Sequence, residues 1–238
     1  MANPHFQNMI LWAGNNEATE AKKDQPMFLP YPSDQTFYGY FNDFMTYNSG
    51  DWTITTTEAG GGDASEAVTS SAGGALLITN DAADNDADFF NLKGEGFKLS
   101  SSKKAYFSAR FKVSDATQSD FVMGLQITDT TPLAVSDGVF FIKDDGDTNL
   151  DFIVEKNSTS TDTTAIHTME DDTFVTTSFF IDPDRAAVYY SINNGTPVKV
   201  ANTNLPDDEE LTISFGIQNG AAAAKTMTID YVTAMVER

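Results

Sequence analysis

Residues 105–128 read AYFSARFKVSDATQSDFVMGLQIT, and their alternation decides the fold class. In Tyr106–Val113 the apolar side chains Phe107, Ala109, Phe111 and Val113 fall on one side, and Tyr106, Ser108, Arg110 and Lys112 on the other. A polar turn, Ser114–Ser119, interrupts the pattern. It then resumes with Phe121, Met123, Leu125 and Ile127 inward and Val122, Gly124, Gln126 and Thr128 outward. Successive side chains of a strand point to opposite sides of the pleat, so a period of two marks a strand with one buried face. Two such strands around one short turn predict a hairpin.

The same design continues in both directions. Trp52, Ile54 and Thr53–Thr57 make a strand, followed by a Gly- and Ser-rich loop, Ala59–Ser71. Further strands are expected at 75–79, 89–92, 97–99, 139–142, 150–156, 163–169, 174–181, 187–192 and 197–200. Leu211, Ile213, Phe215 and Ile217 line a later strand, and Thr226–Val236 closes the chain. Asn193-Asn194-Gly195 is a hairpin signal, because Asn and Gly tolerate positive φ. About a dozen strands with no helical period predict an all-β domain over residues 41–238, either two antiparallel sheets face to face or a barrel.

Met1–Tyr40 differs. Asn3-Pro4 is suited to start a short helix carrying Phe6, Met9, Ile10 and Trp12 on one face. Beyond the charged segment Glu17–Asp24, the prolines 26, 30 and 32 sit among Phe28, Leu29, Tyr31, Phe37 and Tyr38. Proline fixes φ and removes a donor, so this piece is expected to be an extended arm outside any sheet interior. Its aromatics are too many for a solvated linker. They are expected to pack on the chain's own sandwich or on a neighbouring subunit.

Of the 238 residues, 35 are Asp or Glu and 14 are Lys or Arg, a net charge of −21 that disfavours nucleic acid and anionic membrane as partners. The chain has no cysteine, which excludes disulfides, thiolate metal sites and cysteine nucleophiles. Met1–Leu11 has no Lys or Arg ahead of its short apolar run and does not read as a secretory signal.

Few residues promise chemistry. Asp151 and Glu155 share a strand face, but Ile153 lies between them and four residues span ~13 Å, too far for the ~5 Å of a retaining glycosidase. Asp145, Asp147, Asn149 and Asp151 place oxygens at every second position, as in a calcium loop. Against Ca²⁺, Leu150 stands where that loop needs Gly and no Glu closes it; the alternative is an Asp/Asn/Gly turn satisfying its own backbone. His5 and His167 lie far apart, and no Gly-x-Ser-x-Gly or phosphate-binding glycine loop occurs. Trp52 reads as core.

The Phe41–Trp52 stretch, the Ala105–Thr128 pair, the Ala187–Val200 hairpin and the closing Met227–Val232 strand together resemble concanavalin A-like jelly rolls of the laminin-G type. Within that group, the Thr/Ser/Asp/Ala-rich loops, the acidity, the lack of cysteine and the aromatic–proline arm resemble virion structural proteins of tailed bacteriophages that decorate or cement capsids. That resemblance implies a non-enzymatic jelly-roll sandwich on the capsid surface. It would bind the major capsid protein or other virion subunits through Phe6, Met9, Ile10, Trp12, Phe28, Leu29, Tyr31, Phe37 and Tyr38, as a homo-oligomer such as a trimer. The other common use of the architecture is a carbohydrate-binding module.

Overall fold

A computed structural model describes residues 37–238. In chain order the strands are β1 (Phe37–Asn42), β2 (Trp52–Thr57), β3 (Ser65–Val68), β4 (Leu76–Thr79), β5 (Ala87–Leu92), β6 (Phe97–Lys98), β7 (Ala105–Val113) and β8 (Ser119–Gln126). They continue with β9 (Gly138–Lys143), β10 (Asn149–Lys156), β11 (Thr159–Thr168), β12 (Val175–Asp182), β13 (Ala187–Ile192), β14 (Val198–Ala201), β15 (Glu210–Asn219) and β16 (Thr226–Glu237). They form two antiparallel sheets of eight strands. Sheet A runs β14-β13-β12-β7-β16-β4-β3, with β1 also paired to β16; sheet B runs β11-β10-β9-β8-β15-β5-β2, with β6 also paired to β15.

Every residue expected to point inward on β7 and β8 does so: Phe107, Ala109, Phe111, Val113, Phe121, Met123 and Leu125 are all in the core. The expected hairpin between them is absent. β7 pairs with β12 and β16 in sheet A, while β8 pairs with β9 and β15 in sheet B. The chain therefore crosses from one sheet to the other at Ser114–Gln118, and Phe111 meets Phe121 edge-on across the interior at 5.3 Å. Alternation specifies which face is buried and leaves the partner open. The Asn193-Asn194-Gly195 hairpin is present, joining β13 to β14 with Asn193 and Asn194 at φ 51° and 57°.

The arm is expected to run through Tyr40, and strand β1 begins at Phe37. Phe37–Asn42 pairs residue for residue with Val232–Glu237, so Phe37 and Tyr38 belong to the sandwich. Phe37 is 3% exposed and clusters with Phe180, while Tyr38 packs on the main core and stacks on Phe97 at 6.3 Å. Both were expected on the partner-binding arm; in the structure they pack within the sandwich, and no proline falls between residues 33 and 42 to keep this segment out of the sheet. The other arm residues named for partner binding, Phe6, Met9, Ile10, Trp12, Phe28, Leu29 and Tyr31, lie outside the described residues.

Four rings cluster in the core. Phe215 lies 4.9 Å from Trp52, 5.2 Å from Phe90 and 6.1 Å from Phe44. Trp52 is thus a core residue, 3% exposed.

Candidate functional site

The outer face of sheet B is floored by short and apolar side chains. Register places Thr55, Phe89, Gly216, Val122 and Ile142 in one row across β2, β5, β15, β8 and β9. Ala87, Phe89 and Val122 are buried there, with Leu133 and Ile142 packed against them. They are buried because the β8–β9 connection folds back over the sheet. Pro132–Ala134 forms a single 3₁₀ turn, anchored where Gln126 Nε2 donates to the Pro132 carbonyl at 3.0 Å. Asp129 Oδ1 accepts from both the backbone N–H and the hydroxyl of Thr131, at 2.6 and 2.7 Å.

Between this turn and the sheet lies a groove of about 290 Å³. Thr55, Thr57, Ala87, Phe89 and Gln218 form its floor, and Thr130–Ala134 its wall. Among the described residues no ionisable side chain lines it, in a chain of net charge −21. Four threonine hydroxyls and one amide offer hydrogen bonds, the Thr131 hydroxyl as an acceptor because it donates to Asp129, beside the apolar surface of Phe89 and Leu133. Such a lining suits a neutral ligand that carries both hydroxyls and C–H faces.

The residues singled out in the sequence lie elsewhere. Asp151 and Glu155 sit on the outer face of β10 opposite Ile142 and Gly138, away from the groove lining. Asp151 Oδ1 is engaged by the Ala165 N–H at 2.7 Å. Burial, then Asp162 and Asp137, raises the Glu155 carboxyl. His167 lines a smaller hollow of about 160 Å³ with Glu170, Thr173, Phe174 and Asn193, and no serine is among its lining.

Of the expected calcium set Asp145, Asp147, Asn149 and Asp151, the carboxylates of Asp147 and Asp151 are engaged by backbone N–H groups. Asp147 accepts from the Asn149 backbone and side chain at 2.7 and 3.0 Å, which holds its carboxyl below the usual range. The Asp145 N–H donates to Asp120 Oδ1 at 2.8 Å. Among the described residues no three His, Asp or Glu side chains converge as a metal site. The local positive charge is already supplied by Lys143. Its side chain is buried, and its Nζ donates to the carbonyls of Thr117 and Ser119 at 3.1 and 2.5 Å. Desolvation lowers its pKa, while Asp120, Asp147, Asp145 and Asp115 oppose that shift.

The groove itself escaped the sequence reading. Its floor comes from three strands and its wall from a loop, joined only by the strand order of sheet B, and no local motif marks it.

No family model matches the chain, and no curated protein matches it. Solved structures do. A protein of unknown function from Shewanella oneidensis MR-1 is similar with a TM-score of 0.60 and 16% identity, over 92% of this chain and 94% of that one. An endo-1,3-β-glucanase from Streptomyces sioyaensis is similar with a TM-score of 0.58 and 14% identity, over 87% and 99%. Peanut lectin is similar with a TM-score of 0.55 and 13% identity, over 84% and 97%. Likeness at these identities speaks to architecture alone: the chain is a two-sheet antiparallel jelly-roll sandwich of the concanavalin A-like kind.

Proposed function

We propose that the protein is a carbohydrate-binding module that holds a neutral saccharide in the groove under Thr130–Ala134 without cleaving it. The uncharged, hydroxyl-rich lining carries this reading. A sugar offers hydroxyls to Thr55, Thr57, Thr131 and Gln218 and C–H surface to Leu133, and charged side chains would add only desolvation cost. The architecture supports it too, since a lectin and a glucanase share it. Among the described residues no carboxylate lines the groove, so it offers no paired acid and nucleophile for hydrolysis.

A glycan array followed by calorimetry on any hit tests the reading. The expected result is binding to neutral oligosaccharides, abolished by Thr131→Trp, which fills the groove. An array without neutral hits, or full affinity in Thr131→Trp, overturns it. Release of reducing sugar from the bound glycan would overturn the non-catalytic part.

A second reading is a capsid-decorating subunit on a virion, bound to the major capsid protein as a homo-oligomer such as a trimer. It draws support from Phe41 and Met45, 64% and 69% exposed at the N-terminal edge of the sandwich. Exposed apolar side chains at such a position suit protein docking. Cosedimentation with assembled capsids, lost on Phe41→Ser with Met45→Ser, is the expected result; unchanged cosedimentation refutes it.

A further inference from the structure

At the edge of the sandwich where β3 faces β5, two carboxyl groups meet in the gap between the sheets. Glu66 pairs with Ile78, a core residue, so its side chain turns inward from sheet A. Asp88 stands between Thr56 and the core residue Ile217, so its side chain turns inward from sheet B. Asp88 is 0% exposed. Its Oδ1 accepts from the Thr56 hydroxyl at 2.6 Å, while its buried Oδ2 has no donor among the described residues. The Glu66 side chain turns toward the same gap from the facing sheet, and its charge bears on Asp88. Tyr47, whose ring packs edge-on against Phe90 at 6.4 Å, buries an unpartnered hydroxyl beside both acids.

The charges bearing on Asp88 are those of Glu66, from β3, and Glu58, from the β2–β3 connection; both are negative. Glu58 is tied into its own turn by the Ala64 N–H at 2.7 Å. Two carboxylates facing each other without a cation repel, and a proton placed between them turns that repulsion into a hydrogen bond. β3 is the element free to respond. It is four residues long, pairs among the described residues with β4 alone and exposes three of its four side chains.

We propose that Asp88 and Glu66 share one proton across the gap, and that this bridge clamps the edge strand β3 to sheet B in a pH-dependent way. Burial foremost, with Glu66 and Glu58 adding, pushes the Asp88 carboxyl up to about 7. An opened edge returns it toward ~3.9. Between those values the closed state holds one proton more than the open state, so closure weakens as pH rises and is constant above about 7. The clamp is independent of what the groove binds.

Hydrogen–deuterium exchange of residues 64–70, corrected for the intrinsic rate, tests this across pH 5 to 8. The wild-type protection is expected to fall about tenfold per pH unit up to about 7 and then level off. Asp88→Asn, whose side-chain amide donates to Glu66 at every pH, is expected to remove the dependence, and Glu66→Gln to do the same from the other side. Carbon NMR of the Asp88 carboxyl is expected to show a midpoint near neutrality. Flat wild-type protection, an unchanged slope in both variants, or an Asp88 midpoint below pH 5 overturns the proposal.

Discussion

Phe215→Ala removes the ring at the centre of the four-ring cluster. Phe215 is 0% exposed on β15, a central strand of sheet B. Its ring contacts Trp52 from β2, Phe90 from β5 and Phe44 from the loop after β1. Burying a phenylalanine is worth roughly 1.5–3 kcal/mol by area alone, and the cavity left behind raises the cost of Phe→Ala to about 3–5 kcal/mol. The upper half of that range is expected. The three flanking rings are held by separate elements and cannot collapse together, and edge-on and stacked contacts of ~0.5–1.5 kcal/mol each are lost as well. At about 2–4 °C per kcal/mol for a domain near 200 residues, a 4 kcal/mol loss lowers Tm by roughly 8–16 °C. Urea unfolding followed by near-UV circular dichroism reads it as a lowered midpoint with an unchanged slope. Phe41→Ala deletes the same side chain at a position 64% exposed and is expected to change stability by no more than about 0.5 kcal/mol. A loss under about 1.5 kcal/mol for Phe215→Ala, or equal losses for the two variants, would refute the placement of the core.

Gly74→Ala and Gly94→Ala separate strain from collision. Both glycines have positive φ, +86° and +88°, but a Cβ on Gly74 would sit 2.5 Å from the Phe44 carbonyl oxygen while one on Gly94 meets nothing within 4 Å. Thermal unfolding should show Gly94→Ala costing about 1 kcal/mol and Gly74→Ala clearly more; equal costs would mean that the Phe44 loop yields. Calcium is the other discriminating reagent. With Asp147 and Asp151 engaged by backbone N–H groups, millimolar Ca²⁺ is expected to leave the urea midpoint unmoved, whereas a ligand at 100 times its Kd would add about 2.7 kcal/mol.

What could be read from the residues, and what could not, divides along a physical line. Side-chain period belongs to one strand, so the inward faces of β7, β8 and β15 stand in the sequence as they stand in the core, from Phe107 through Ile217. Pairing belongs to two strands, and period says nothing of it. The turn residues 114–118 can close a hairpin or carry the chain to the opposite sheet, and β7 and β8 take the second course. β1 was hidden by the prolines before it, and β3, with the sequence SEAV, by having no apolar alternation within a Gly- and Ser-rich stretch. The candidate site inherits this limit. Thr55, Phe89, Leu133 and Gln218 become neighbours only once β2, β5, β8 and β15 are placed in order, and Glu66 and Asp88 meet only because β3 and β5 lie on facing sheets. The oxygens at 145, 147, 149 and 151 make the converse point. They resembled a ligand set because they are close in sequence, yet Asp and Asn in turns first satisfy the backbone beside them. Proximity along the chain was therefore the weaker guide here, and the uncharged groove assembled across strand order is the stronger candidate for function.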